Sequence, residues 1–246
     1  MPATAPIQAT KMNKYSKQTR FLLAVDCIIF GFDGESLKLL LIKRGFNPEK
    51  DKWSLMGGFV QDSESLDQAA NRILKQLTGL EGVYLEQMYS FGETTRDPIE
   101  RTISVSYFAL IDIHKYEQQI SSEFHAEWVP LERIPKLIFD HQDMVEMARG
   151  RIKYKAALHP ILFELLPSRF TLPQLQNLYE SVFNTSIDKR NFSKRVLATG
   201  LLIKLTDKDK AGSKRGAYYY QLDKDKYYAN FQAFVNIIPN PDSLQN

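Results

Sequence analysis

Two rhythms of apolar residues run along the chain. Residues 21–30 (FLLAVDCIIF) and 37–43 (LKLLLIK) are nearly continuous apolar runs of strand length. The turn-rich Gly31-Phe32-Asp33-Gly34 between them predicts a hairpin. Residues 84–91 and 102–113 read as two further strands about a polar loop at 92–101, and residues 127–131 as a strand and turn. Between these runs the rhythm changes. Leu66, Ala69, Ala70, Ile73, Leu74 and Leu77 recur at steps of three and four, which is the period of one buried helical face. Ser65 with Gln68 three residues later forms a capping-box pattern, and Gly79 supplies a stop, so both ends of this helix are marked.

The helical rhythm returns after residue 139. One helix is expected from Asp140 to about Gly150, with Asp140 as its cap and His141 in a structural or exposed position, and another from 152 to 166, ended by Pro167. Thr171-Leu172-Pro173-Gln174 opens the next with a second capping box and an early proline, and its buried face is Leu172, Leu175, Leu178, Tyr179 and Val182. Asp188 then caps a basic helix that ends at Gly200 and turns Phe192 and Val196 inward. Short strands at 201–205 and 217–222, joined by a loop at 206–216, close the series as a hairpin.

Charge changes where this second half begins. Residues 1–150 hold 17 Lys+Arg against 21 Asp+Glu, a balance of −4, and residues 151–246 hold 15 against 8, a balance of +7; together they give the net +3 of the whole chain. A basic C-terminal part on an acidic N-terminal part points to a polyanionic partner for the former. The basic side chains gather on two elements. Lys189, Arg190, Asn191, Ser193, Lys194 and Arg195 face outward from the helix after Asp188, and Lys208, Lys210, Lys214 and Arg215 occupy the following hairpin loop. Helix, helix, basic helix and basic-tipped hairpin is the order of a winged helix-turn-helix, in which the second helix of the motif enters the major groove and the wing meets phosphates. Double-stranded operator DNA is therefore the expected macromolecular partner.

Other classes drop out. No apolar run approaches the roughly 18 residues needed to cross a bilayer, so no membrane role is expected. The single cysteine, Cys27, sits in an apolar run and reads as a core thiol, consistent with a cytoplasmic location. His114, His125, His141 and His159 show no metal-ligand spacing.

The stretch 58–80 (GFVQDSESLDQAANRILKQLTGL) resembles the Nudix box, GX5EX7REUXEEXGU with U aliphatic. Gly58, Glu64, Arg72, Leu74, Gly79 and Leu80 fall on its fixed positions, after the lead-in Trp53-Ser54-Leu55-Met56-Gly57. Where the pattern has three further glutamates this chain has Ile73, Gln76 and Leu77. Members of that family use these carboxylates to hold Mg2+ against a diphosphate, and hard cations need oxygen ligands. Arg72 is expected to pair with Glu64 or a nearby carbonyl. The resemblance therefore implies a Nudix-like domain without catalytic residues, metal or cofactor.

Taken together, the two halves resemble the Nudix-related transcriptional regulators, in which a non-hydrolytic Nudix-like domain is fused to a C-terminal winged helix. Phe139-Asp140-His141 and the hairpin residues 214–220 carry the likeness beyond the box. It implies an α+β fold: a flexible tail at 1–19, a Nudix-like α/β/α sandwich with a mixed sheet at 20–151, and a winged helix at 152–240. It also implies a homodimeric repressor released from its operator by a small effector. By overall similarity the chain looks closest to the L-arabinose-responsive branch controlling sugar catabolism. Phe59, Phe91, Glu93, Arg96 and Tyr107 would suit a sugar, and Lys43, Arg44, Arg96 and Arg101 are the bases that could bind a diphosphate. An ADP-ribose-responsive regulator of NAD metabolism is the alternative. Two further readings remain open: a hydrolase with substitute ligands such as Glu64 with Glu93 or Glu100, and a protein-binding module whose basic tail serves assembly.

Overall fold

The computed structural model describes residues 17–120, 125–158, 161–210 and 216–229. Most of the expected tail, together with Lys214 and Arg215, lies outside the described residues. Strands β1 (Leu22–Phe32) and β2 (Leu37–Lys43) form the expected antiparallel hairpin, with Phe30 opposite Leu39. Short strands β3 (Trp53–Ser54) and β4 (Met56–Phe59) follow. Beyond helix α1 (Leu66–Thr78) come β5 (Glu86–Phe91) and β6 (Thr102–Asp112). A one-turn helix, α2 (Ile113–Tyr116), leads toward β7 (Ala126–Pro130). The sheet runs β3-β2-β1-β6-β5, with β4 also on β1 and β7 also on β2.

The sheet is mixed because β1 and β6 pair in parallel along their whole length while their other neighbours are antiparallel. On one edge β1 is shared. Its C-terminal part pairs with β2 and its N-terminal part with β4, through Ala24 to Phe59 and Cys27 to Met56. That split opens the sheet beside Asp26.

Side chains alternate strictly across β1. Val25, Cys27 and Ile29 pack with Ala69, Ala70, Ile73 and Leu74 of α1. Ile28, Phe30 and Phe32 face the other way, onto Met144, Val145, Ala148 and Ile152 of helix α3 (His141–Leu158). Helices thus cover both faces of the sheet, which explains why its central strands are apolar without interruption. The α/β/α sandwich expected from the sequence is present. The caps of α1 form as expected: Ser65 and Gln68 make the reciprocal capping box, and Gly79 takes a φ of 80°, a left-handed geometry that suits glycine.

The break expected at Gly150 is absent. Residues 150, 151 and 152 all lie within α3, which is one helix of 18 residues. A helical glycine costs about 1 kcal/mol relative to alanine, and the continuing stripe Ala148, Ile152, Ala156, buried against the sheet, outweighs it. The expected helix at 152–166 is instead the end of α3 followed by a 3-10 turn, Ile161–Leu165.

The C-terminal half follows the winged-helix order. A short strand β8 (Phe170–Thr171) precedes α4 (Leu172–Phe183), which has the predicted capping box at Thr171 and proline in its first turn. Helix α5 (Lys189–Ala198) is capped by Asp188, whose carboxylate accepts from the Asn191 amide at 2.8 Å. Strands β9 (Leu202–Asp209) and β10 (Ala217–Leu222) pair antiparallel with β8 on the outer side of β10, and α6 (Lys224–Ala229) follows. The first strand of this hairpin is longer than expected and takes residues 206–209 out of the predicted loop. Leu175, Leu178, Tyr179, Phe192 and Val196 join Leu162, Leu165 and the α3 stripe in one apolar cluster that continues to β1.

Candidate functional site

At the split edge of β1 lies a cleft of about 80 Å3. Its floor is built from Asp26 of β1, Ser54 of β3 and Gly57 and Gly58 of β4; its walls are Arg44, Phe46, Phe59, Arg96, Asp97, Thr102, Phe139 and His141. A β-carbon at Gly57 would come within 2.1 Å of Asp26 Oδ1, so only glycine lets that carboxylate stand against the backbone.

A buried polar network holds this floor. The Ser104 hydroxyl donates to Asp26 Oδ2. Arg96 donates through Nε and Nη2 to the two oxygens of Asp140, both at 2.8 Å, and its Nη2 lies 3.6 Å from Asp26 Oδ2. His141 opens α3 on the same stripe as Met144, Val145 and Ala148. Its Nδ1 accepts from the Leu55 amide at 3.1 Å, which places the ring proton on Nε2, 3.5 Å from Asp26 Oδ1. Burial pulls the His141 pKa below its ordinary value, against the opposing pull of Asp26 and Asp140. Asp140, expected as a helix cap, spends its carboxylate on Arg96.

Arg44 is the less constrained cation. Its guanidinium carbon lies 4.0 Å from the Phe46 ring centroid and 5.4 Å from that of Phe139, and its buried Nε has no hydrogen-bond partner. Burial lowers its pKa. Phe139 holds a φ of 49°, a conformation that costs a bulky side chain about 1–3 kcal/mol.

The Nudix box is present as a structural joint. Arg72 reaches both Glu64 oxygens, the Phe59 carbonyl at 3.0 Å and Gln76 Oε1 at 3.1 Å. The Arg72 hydrogen bonds hold the Glu64 carboxyl down at about 2. Ile73 is buried, and a β-carbon at Gly58 would come within 2.8 Å of its Cδ1, so an aliphatic side chain fills the space beneath the glycine turn. This donor set does not fit Mg2+: one carboxylate is held by an arginine, and its neighbours are an amide and two aliphatic chains. Among the described residues no three His, Cys, Asp or Glu side chains converge as a metal site.

Of the eight effector residues expected from the sequence, the cleft gathers Arg44, Phe59 and Arg96. Lys43 points out and lies 5.0 Å from the Trp53 ring centroid. Arg101 folds back onto the Gly92 and Glu93 carbonyls, Glu93 is exposed, and Phe91 packs edge-on to Tyr89. Tyr107 must be corrected. It lies on the opposite, α1-facing side of the sheet, buried, with its hydroxyl donating to Asp67 at 2.7 Å. The five side chains chosen to suit a sugar are therefore not brought together. Sequence reasoning passed over Asp26, Phe46 and the place of Phe139 and His141 in the cleft wall. A lone aspartate inside an otherwise buried apolar strand was the available signal, because a buried charge requires partners.

In the winged helix, Lys189, Arg190, Asn191, Lys194 and Arg195 are exposed on α5, and Ser193 is half-buried. Lys208 lies on β9, not in the loop, with its ammonium 4.3 Å from the Tyr218 ring centroid; Lys204, which was not anticipated, lies 3.7 Å from it. Lys210 is exposed at the end of β9.

Comparison with known proteins agrees with both halves. The NUDIX domain family matches residues 20–149 and the NrtR DNA-binding winged helix domain matches residues 162–222. The ADPR responsive transcriptional repressor NtrR of Acinetobacter baylyi is 39% identical over 214 residues, 85% of each chain. An ADP-ribose pyrophosphatase of Methanocaldococcus jannaschii is 32% identical over 141 residues, 57% of this chain and 80% of the relative. The crystal structure of Shewanella oneidensis NrtR with a 27mer DNA is 33% identical and superposes with a TM-score of 0.71 over 84% of this chain and 95% of that one. The Nudix domain of the same protein, crystallised with ADP ribose, is 32% identical with a TM-score of 0.50 over 58% and 99%. The Acinetobacter repressor and the Shewanella NrtR structures stand with the ADP-ribose regulators and displace the L-arabinose branch to which overall similarity had pointed. The chain belongs to the Nudix family, in the group whose Nudix domain is joined to an NrtR DNA-binding winged helix.

Proposed function

We propose that this protein is a transcriptional repressor whose Nudix domain binds ADP-ribose without hydrolysing it and whose winged helix leaves operator DNA as a result. The observation that carries the reading is the aliphatic packing under the glycine turn. Ile73 fills the place where the Nudix pattern sets a carboxylate, while Arg44 brings a cation with an unbonded Nε into the cleft. A diphosphate held there is bound by bases, with no metal arranged to activate water. The names of the relatives support ADP-ribose as the effector, and the dispersal of the sugar-suited side chains supports the same change from L-arabinose.

The exposed face of α5, with Lys189, Arg190, Asn191, Lys194 and Arg195, serves as the DNA-reading helix, and Ser193 flanks it. Lys208 and Lys210 serve the wing, with Lys214 and Arg215 in the adjoining segment. A homodimer would set two such helices one DNA turn, about 34 Å, apart. Release requires that ADP-ribose prefer the arrangement that does not match this spacing.

Fluorescence anisotropy on labelled DNA from upstream of the protein's own gene tests the proposal. Salt-sensitive binding reversed by ADP-ribose and untouched by L-arabinose is the expected outcome, with no AMP formed in the presence of Mg2+. Production of AMP would restore the hydrolase reading, and DNA affinity no better than nonspecific would remove the repressor.

A further inference from the structure

If the function proposed above holds, an effector in the cleft must act on the DNA-binding half of the chain. Arg96 lines the cleft, but its guanidinium is already engaged by Asp140 and lies close to Asp26. A phosphate that enters must compete with a carboxylate for this cation. Asp26 cannot yield, because it is buried on β1 and tied to Ser104 and His141. Asp140 can. Its side chain keeps 17% exposure, against 4% for Arg96, and it stands immediately before α3. It also follows Phe139, whose left-handed backbone persists only while the surroundings over-determine it. The double hydrogen bond from Arg96 to the next residue is one of the contacts that do so.

We propose that Asp140 is a built-in competitor for the effector's phosphate, and that transfer of Arg96 from Asp140 to the ligand frees the head of α3. Phe139 then returns to ordinary negative φ and the first turn of α3 reorients. The helix spans about 27 Å at 1.5 Å per residue. Its far end, at Ile152 and Ala156, packs in the same cluster as Leu162, Leu165 and Leu175 of the DNA-binding half. One end of a rigid element thus lies in the cleft and the other in the core of the winged helix.

Asp140→Asn keeps the shape of the competitor and removes its charge. In anisotropy titrations, ADP-ribose should release this variant from operator at about one-tenth of the wild-type concentration. Operator affinity without ligand should fall by a similar factor, a coupling within the usual range. Hydrogen exchange of the unsubstituted protein gives a second readout: the Met144 amide, which donates to the Asp140 carbonyl at 3.1 Å, should exchange faster with ADP-ribose present. A variant needing as much ADP-ribose as wild type, or more, overturns the competitor role and leaves the proposed function standing. Unchanged Met144 protection in a protein that does respond to ADP-ribose has the same force, and it decides alone if the variant does not fold. Wild-type protein that holds operator and ignores ADP-ribose overturns both.

Discussion

The cleft and the winged helix use charge in opposite ways. In the cleft, Asp26, Arg96 and Asp140 are interlocked beside the buried, neutral His141 ring, so each charge is held by the others. On the winged helix the bases stand in water on α5 or lie over the Tyr218 ring. Enclosed charges are shielded little by salt and cost much to disturb, while exposed ones are shielded strongly and are nearly free to change. The difference teaches that one region is built to hold a geometry and the other to offer a field.

Substitution in the two regions should therefore separate stability from affinity. Arg96→Ala removes the cation that Asp140 and Asp26 share, and breaking a buried pair in this way costs about 3–5 kcal/mol. Denaturant unfolding should show that loss; a midpoint near that of wild type would mean that the network is not holding the cleft. The double variant Lys194→Ala, Arg195→Ala should leave unfolding unchanged and weaken operator binding about 100-fold, within the roughly 1–3 kcal/mol expected for each good contact. Its salt dependence should flatten by about 1.8 in log-log slope if both side chains meet phosphates. Equal operator affinity would remove α5 as the reading helix.

Acid sharpens the same contrast with a smaller effect. The folded pKa of His141 lies below the ordinary value of about 6.5. As pH falls below that value the unfolded chain takes up this proton before the folded one does, so stability is lost downward from about pH 6.5. Thermal melts between pH 7 and 5 should show the decline, and His141→Gln should flatten it. A decline of equal slope in that variant would assign the effect elsewhere.

Local signals carried much of the fold. Ser65, Gln68 and Gly79 bound α1, and Thr171 and Gln174 start α4, because caps act over three or four residues and can be read where they stand. The order of the winged helix followed from the same kind of evidence. Two features were not legible because the deciding contact lay far along the chain. The stripe that carries α3 past Gly150 is settled by its packing with β1, and Arg96, which does line the cleft, has its guanidinium engaged by Asp140, 44 positions away. Tyr107 could be named as a residue suited to a sugar, but not assigned to a face of β6. A strand buried on both sides gives no polar alternation from which its facing could be read.

The apolar cluster that runs without interruption from β1 through α3 to Phe192 has a consequence for modularity. Although two family descriptions divide the chain, neither half owns its border. A winged helix excised after α3 would expose Leu162, Leu165 and Leu175, and a Nudix domain cut before it would lose the lid over Ile28 and Phe30. Any chimera that exchanges one DNA-reading half for another must carry α3 with it, and with α3 comes the head of the cleft. The winged helix cannot be transplanted without part of the cleft.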